Sequence, residues 1–265
     1  MILYKYYGYC SGLKAIESQN LGFRKPKNFN DPFEFSFLSN SEGSISEQKE
    51  LKKKVDALRD TVVVLSLTRT PYNPLMWAHY GQEHTGFVIG YEVDDAFLSS
   101  SEYNLIPVTS GDVVYTNTKS SHILSPEIMG RIHDVYLSGF GDDGLNKSPE
   151  TISFARKIFL TKHASWVYEE EVRVVKILDS LFEESHIFQG DERRNFYSIS
   201  KEIEPGKCVD VIPGLSLFNY KVPIKEIYLG LRNNIDKIPI INGAKVYRLE
   251  MNERSWNLIS KEVGV

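Results

Sequence analysis

Cysteine is scarce in this chain, whose 265 residues include only Cys10 and Cys208. Two distant cysteines, with no ligand spacing around either, exclude a framework of several disulfides and argue against a structural zinc site. No apolar run approaches the length of a membrane span, and the first residues lack the pattern of a signal peptide. We therefore expect a cytoplasmic protein that has no membrane partner.

A surplus of positive charge is also lacking, because the formal net charge is −4. Such a balance gives no overall attraction to nucleic acid, so a nucleic-acid partner is not favoured. The sequence has no Walker loop, no Rossmann glycine-rich turn, no His-Glu-x-x-His motif and no nucleophile elbow. Its six histidines are scattered, and we expect no metal.

The apolar pattern predicts a mixture of strands and helices in one α+β domain covering residues 1–265. Branched and aromatic runs predict strands at residues 2–7, 21–26, 61–68, 85–91, 113–115, 171–178, 196–200, 208–212, 224–229 and 244–249. Helical patterns occupy residues 12–20, part of 39–60, 75–80, 124–140 and 149–163. We expect a mixed, mainly antiparallel sheet with flanking helices and a polar insert near residues 183–194.

The most informative stretch runs from Lys162 to Arg173. If a strand begins near Glu169, its alternation places Glu169, Glu171 and Arg173 on one face. Two carboxylates so close together repel unless a cation or a shared proton relieves them, and Arg173 is near enough to be that cation. Two interpretations stay open: a structural ion-pair network, or a site whose carboxylates are tuned for chemistry.

Polar residues near the N-terminus supply further candidates. Tyr4 and Lys5 lie on the first predicted strand, where Lys5 is a lone cation among tyrosines. Asn30 and Asp31 precede Pro32 in a short loop. Asn and Asp side chains close turns on their own backbone, so this loop is either a rigid turn clipped into the core or one wall of a pocket.

The middle of the chain adds hydroxyl and aromatic groups. Ser66 and Thr68 share a face at the end of the clearest buried strand. A short helix follows, with Trp77 and Tyr80 on neighbouring sides. Both aromatic residues can belong to the core; in the functional interpretation Trp77 forms a pocket wall and Tyr80 offers a hydroxyl at its rim.

Several motifs in a fixed order resemble a large bacterial family catalogued as a domain of unknown function. The resemblance spans roughly Leu3 to Arg232 and implies no established activity. The motifs are Tyr4-Lys-Tyr6, Phe29-Asn-Asp-Pro-Phe33, Leu65-Ser66, Trp77-Ala-His-Tyr80 with Gly86, Lys162 with Trp166-x-Tyr-Glu-x-Glu-x-Arg173, and Ile227-Tyr-Leu-Gly230.

A second set of residues resembles ADP-ribosyltransferases of the Arg/Ser/Glu type. Lys5, Ser66-Leu-Thr68 and Glu169-Glu-Glu-Val172 follow the order of that family's basic residue, Ser-x-Ser triplet and Glu-x-Glu motif. The chain departs from the pattern with Lys5 in place of the usual Arg, which removes a bidentate phosphate contact, and with Thr68 in place of Ser.

This resemblance implies NAD as co-substrate, an ADP-ribosyltransferase-like fold, and a toxin or defence effector that modifies a macromolecular acceptor. Glu171 would stabilise the oxocarbenium-like ribose, and Glu169 would orient the incoming nucleophile. Catalytic roles thus fall to Glu171 and Glu169, and the expected nucleotide-binding set is Tyr4, Lys5, Asn30, Asp31, Ser66, Thr68, Trp77, Tyr80 and Arg173.

Two other functional classes remain open. One is a non-catalytic module that binds a nucleotide or a partner with the same aromatic and charged pocket. The other is a nuclease-like effector with Glu169, Glu171 and Asp31 as metal ligands. Release of nicotinamide from added NAD would separate the transferase hypothesis from these two. The most informative single observation is whether Lys5, Ser66 and Glu171 face one cleft.

Overall fold

The computed structural model describes residues 1–34, 44–101, 103–118, 126–137, 148–178, 214–235, 238–239 and 241–263. These residues form helices around a mixed, mostly antiparallel sheet, which confirms the expected α+β class. The predicted polar insert at 183–194, the predicted strands at 196–200 and 208–212, and Cys208 lie outside the described residues. None of the described helices is both long and apolar enough to cross a membrane.

The strands are β1 (Ile2–Tyr7), β2 (Asn20–Arg24), β3 (Val62–Thr68), β4 (Phe87–Glu92), β5 (Val114–Thr116), β6 (Thr161–His163), β7 (Glu171–Ile177), β8 (Leu215–Lys221), β9 (Ile224–Leu229), β10 (Lys245–Met251) and β11 (Leu258–Glu262). The helices are α1 (Tyr9–Ser18), α2 (Ile45–Thr61), α3 (Pro74–His79), α4 (Ala96–Ser99), α5 (Pro126–Leu137) and α6 (Pro149–Phe159). Short 3₁₀ helices cover Pro26–Asn28, Val108–Ser110 and Ala164–Glu169.

Nine strands form the main sheet, in the order β11-β10-β9-β4-β1-β3-β2-β8, and β7 also pairs with β3. Strands β9 and β10 are parallel, and the other paired neighbours in this sheet are antiparallel. Strands β5 and β6 form a separate parallel pair. Strand β3 is the centre of the arrangement, because it contacts three other strands.

The sheet divides along one side of β3. Strand β1 pairs with β3 where Tyr4 meets Thr68, and β2 pairs with it where Arg24 meets Val64. Between these points the two strands diverge, because β1 continues alongside β4 and β2 continues alongside β8. On its other side β3 pairs with β7 over its whole length. The divergence leaves a gap beside Ser66.

One face of the β3–β7 pair changes from apolar to polar halfway along. Residues paired across two antiparallel strands point to the same face. At one end this face packs against α2, α5 and α6 through Val62, Val64, Val175 and Ile177. At the other end the same face carries Ser66, Thr68, Glu171 and Arg173. The helices therefore cover half of the face, and the polar half borders the gap in the sheet.

The chain before β7 differs from the expected strand. Residues Ala164–Glu169 form a 3₁₀ helix, and Glu170 has φ 44° and ψ 47°, in the left-handed region. Strand β7 therefore begins at Glu171 and not near Glu169. Helix α6 ends at Phe159, before the predicted limit of 163, because residues Thr161–His163 pair with β5 instead. Strands β8 and β11 were not predicted, although Leu215 and Leu217 alternate as in a strand.

Candidate functional site

A cleft of about 450 Å³ opens in the gap between β1 and β2. Its walls come from β1, α1, β2, β3 and β8, together with Tyr80 and the end of the 3₁₀ helix that precedes β7. This volume lies within the range of pockets that bind small molecules. The loss of strand pairing beside Ser66 is thus the structural origin of the cleft.

Five charged side chains form a buried cluster at the cleft, which we call the ion cluster: Glu34, Lys162, Glu169, Glu171 and Arg173. The Lys162 ammonium lies 3.1 Å from both Glu34 and Glu171 and also contacts Glu169. Arg173 contacts Glu34, and its Nη1 donates to the Phe159 carbonyl at 2.7 Å. The three carboxylates exceed the two cations by one charge when all are ionised.

Arg173 and Lys162 fix Glu171 in its ionised form. The Nε and Nη2 atoms of Arg173 donate to the two oxygens of Glu171 at 2.8 and 2.9 Å. Burial opposes ionisation, but the two cations outweigh it and lower the pKa of Glu171 to about 2. Burial likewise opposes the charge on Lys162, and the surrounding carboxylates outweigh it and raise the pKa of Lys162.

Glu169 has the opposite tendency. Burial, followed by repulsion from Glu171, raises the pKa of Glu169, although Lys162 and Tyr80 act in the other direction. The Tyr80 hydroxyl donates to Glu169 at 2.7 Å and accepts from the Asn30 amide at 3.2 Å. Two neighbouring carboxylates with pKa values shifted apart are a common arrangement in acid–base sites.

Lys5, Ser66 and Glu171 meet at one place in the cleft. The Lys5 ammonium donates to the Ser66 carbonyl at 3.2 Å, and Ser66 is among the neighbours that lower the pKa of Glu171. All three residues line the cleft. Thr68, two residues further along β3, donates its hydroxyl to the backbone carbonyl of Glu169 at 2.6 Å and so fixes the start of β7.

The sequence comparison matches the part of the chain that carries most of this cluster. Residues 76–174 match a family described as a protein of unknown function (DUF2971). No curated protein and no solved structure gave a significant match. The resemblance to a family of unknown function is therefore confirmed over this range, and the resemblance to ADP-ribosyltransferases finds no support in the comparisons.

The DUF2971 match contains four members of the ion cluster, together with Tyr80: Lys162, Glu169, Glu171 and Arg173. Glu34, Lys5 and Ser66 lie before the matched range. The site thus joins the matched segment to the part of the chain before it, and the ion pairs from Glu34 to Lys162 and Arg173 are one direct link between the two.

Three of the predicted site residues are not part of the cleft wall. Trp77 is fully buried in the core, and its indole N–H donates to the Pro71 carbonyl at 2.7 Å. The Asp31 carboxylate accepts from the backbone N–H of Phe33 at 2.9 Å, as in an Asx turn. Arg173 is fully buried and reaches the cleft through Glu171.

The other predicted residues line the cleft: Tyr4, Lys5, Asn30, Ser66, Thr68, Tyr80, Glu169 and Glu171. The Tyr4 hydroxyl donates to Glu226 at 2.9 Å. Sequence reasoning did not single out Glu34 or Lys162 as site residues. The two carboxylates Glu169 and Glu171 beside the single cation Arg173 were the signal that a second cation was needed.

Among the described residues, no group of three His, Cys, Asp or Glu side chains is arranged to hold a metal ion. The carboxylates of Glu169 and Glu171 contact Lys162, and Asp31 is engaged in its own turn. The ligand set of the nuclease-like hypothesis is therefore not assembled in the part of the chain that the structure describes.

Proposed function

We propose that this protein is an ADP-ribosyltransferase-like enzyme that uses NAD as co-substrate. The observation that carries the proposal is the meeting of Lys5, Ser66 and Glu171 in one cleft. These residues come from β1, β3 and β7, which are distant in sequence, and the cleft has the volume of a small-molecule site. A macromolecular acceptor would make the activity that of a toxin or defence effector.

In the proposed reaction, the bond between the nicotinamide nitrogen and ribose C1′ breaks, and its electron pair leaves with nicotinamide. The ribose is left with oxocarbenium character, which a fixed negative charge stabilises in a cleft with little water. Glu171 suits this role because its pKa of about 2 keeps it ionised. A nucleophile from the acceptor then bonds to C1′.

Glu169 suits a different step of the same reaction. The attacking hydroxyl or amine must lose a proton, and a carboxylate with a raised pKa is a better base at neutral pH than an ordinary one. Burial and Glu171 raise the pKa of Glu169, and Tyr80 fixes one of its oxygens. In this proposal Glu171 stabilises the positive charge of the ribose, and Glu169 accepts the proton.

The test is release of nicotinamide from NAD by the full chain, with water as the nucleophile that bonds to C1′ and loses its proton to Glu169, measured by chromatography in the presence of a metal chelator. We expect release by the wild type and a loss of at least about a hundredfold in Glu169→Gln, the usual scale for a general base. Glu250→Gln, which changes an exposed carboxylate on β10, is the matched control and should behave as wild type. No release by the folded wild type, or full activity in Glu169→Gln, contradicts the proposal.

One observation favours a second candidate, a non-catalytic nucleotide-binding module. Both oxygens of Glu171 already accept from Arg173, and Lys162 contacts the same carboxylate. A network so completely paired can serve to hold β3, β7 and the Glu34 segment together. Saturable binding of NAD without nicotinamide release would favour this candidate over the enzyme.

A further inference from the structure

The cleft has a cationic wall in addition to its carboxylates. Lys5 on β1, Lys14 on α1 and Arg24 on β2 all line it. The acids that line it are Glu34, Glu169 and Glu171, and all three belong to the ion cluster, where Lys162 and Arg173 hold them. None of these three acids forms an ion pair with Lys5 or Arg24.

Arg24 is the residue of this wall with a buried donor that lacks a hydrogen-bond partner in the described part of the chain. Its Nε atom is buried and has no hydrogen-bond partner among the described residues, and Arg24 forms no ion pair with any of them. A buried polar atom without a partner costs free energy, which a bound acceptor can recover. The guanidinium of arginine matches the geometry of phosphate oxygens, which it can bind with two parallel hydrogen bonds.

Lys5 lies close enough to Arg24 for their charges to interact. Burial lowers the pKa of Lys5 to about 8 against the attraction of Glu171, and the charge of Arg24 lowers it as well. The hydrogen bond from Lys5 goes to a neutral group, the Ser66 carbonyl. Two cations facing one cleft repel each other, and an anion between them removes that repulsion.

Arg24 and Glu171 are separated along β3, and Lys5 lies between them, beside Ser66. Arg24 pairs with Val64, whereas Glu171 pairs with Thr68. Four residues of a strand span roughly 13 Å, so a ligand that reaches both ends must be elongated. It must also carry its anionic group at one end and its reacting carbon at the other.

We propose that Arg24 and Lys5 anchor a phosphate subsite that receives the diphosphate of a nucleotide, with Lys14 on the adjoining wall. The choice of a nucleotide rests on the proposed function, and it deepens that function by assigning the anionic half of the ligand to β1 and β2. The subsite itself is a property of binding and does not depend on turnover.

The test is isothermal titration of the full chain with ADP, with adenosine and with inorganic pyrophosphate. We expect ADP to bind at least about tenfold more tightly than adenosine, since diphosphate contacts to arginine are charge-assisted. We expect pyrophosphate to compete with ADP. Higher salt should weaken ADP binding and leave adenosine binding unchanged.

Variants then assign the effect to Arg24. Arg24→Gln should weaken ADP binding about tenfold or more and leave adenosine binding unchanged, and Arg24→Lys should fall between Arg24→Gln and the wild type. Lys225→Gln removes a cation outside the cleft wall, one that pairs with Glu92 at the surface, and should match the wild type. Circular dichroism verifies the fold of each variant.

Equal affinity of the wild type for ADP and adenosine overturns the subsite, and so does an equal loss in Arg24→Gln and Lys225→Gln. The wild-type comparison decides the matter even if Arg24→Gln fails to fold. Failure of the subsite differs from failure of the enzyme. A preference for ADP over adenosine without release of nicotinamide supports the phosphate subsite and contradicts the transferase proposal. Turnover of NAD without that preference supports the transferase proposal and contradicts the subsite.

Discussion

Arg173 holds Glu171 through two hydrogen bonds, of 2.8 and 2.9 Å, although the two residues are only two positions apart on the same strand. Both side chains are buried, at 0% and 6% exposure. The pair therefore keeps a full charge beside the cleft without solvent to support it, and the stability of the fold and the chemistry of the site depend on the same contact.

Glu171→Gln should lower the free energy of unfolding by about 3 kcal/mol at neutral pH, because the amide has one acceptor oxygen for the two Arg173 donors and turns an N–H group towards the buried guanidinium. Urea unfolding measures the loss. The matched control is Glu127→Gln on α5, whose ion pair with Arg131 is largely exposed and should contribute little. An unchanged unfolding midpoint in Glu171→Gln would contradict this prediction.

The contribution of Glu171 should also depend on pH. Its pKa in the folded state, about 2, lies below the ordinary value of 4.5, so its stabilisation is complete above pH 4.5 and is lost as the pH falls towards 2. The loss is about 3 kcal/mol. Glu169 contributes in the opposite sense. Because its pKa is raised in the folded state, it stabilises the fold at low pH, and this stabilisation decreases as the pH rises. Unfolding free energies of wild type and Glu171→Gln should therefore converge in acid; parallel pH profiles would argue against the shift.

Tyr80→Phe should move the pH dependence of activity. The Tyr80 hydroxyl donates to Glu169 and lowers the pKa of that carboxyl, so its removal should shift the rising limb of nicotinamide release to higher pH. The cost in stability should be about 1 kcal/mol, as for one hydrogen bond. Tyr72→Phe, whose hydroxyl contacts Ser260, is the control. Identical pH profiles for the two variants would remove Tyr80 from the site.

Trp77→Ala should destabilise the protein by about 3–5 kcal/mol, whatever its function, because the truncation leaves a large cavity in the core. Trp77 is 0% exposed, whereas Trp256 is 100% exposed. Trp256→Ala is therefore the matched control, and its melting temperature should equal that of the wild type. If Trp77→Ala melted like Trp256→Ala, the packing around α3 described above would be wrong.

Gly111→Ala should disturb the site through the backbone of β7, which Gly111 contacts at Arg173. A Cβ atom at Gly111 would overlap the backbone carbonyl oxygen of Arg173, and the Gly111 carbonyl accepts from the Arg173 N–H at 2.8 Å. The substitution should therefore displace β7 and lower both stability and ADP binding. Gly130→Ala is the control, since a Cβ there meets nothing within 4 Å and alanine favours the helix. Equal melting temperatures for the two variants would contradict the close approach.

Much of the fold followed from local pattern in the sequence. Strands β1 and β9 have the predicted bounds, and β3, β4, β5, β7 and β10 differ from prediction by a few residues. Local alternation is a property of neighbouring residues, so it also places Glu171 and Arg173 on one face. The left-handed conformation of Glu170 was not predicted, because alternation assumes a continuous strand and the turn depends on contacts such as the bond from Thr68 to the Glu169 carbonyl.

The sequence by itself determined the α+β class, the central strands and the pairing of two charges within β7. Only the tertiary structure decided that Glu34, 139 residues before Arg173, completes the ion cluster. It also decided that Lys5 reaches Ser66 across 61 residues. The physical reason is that a strand's own pattern shows which residues share a face but not which strands diverge. The cleft exists because β1 and β2 separate along β3, and that separation depends on their pairing with β4 and β8.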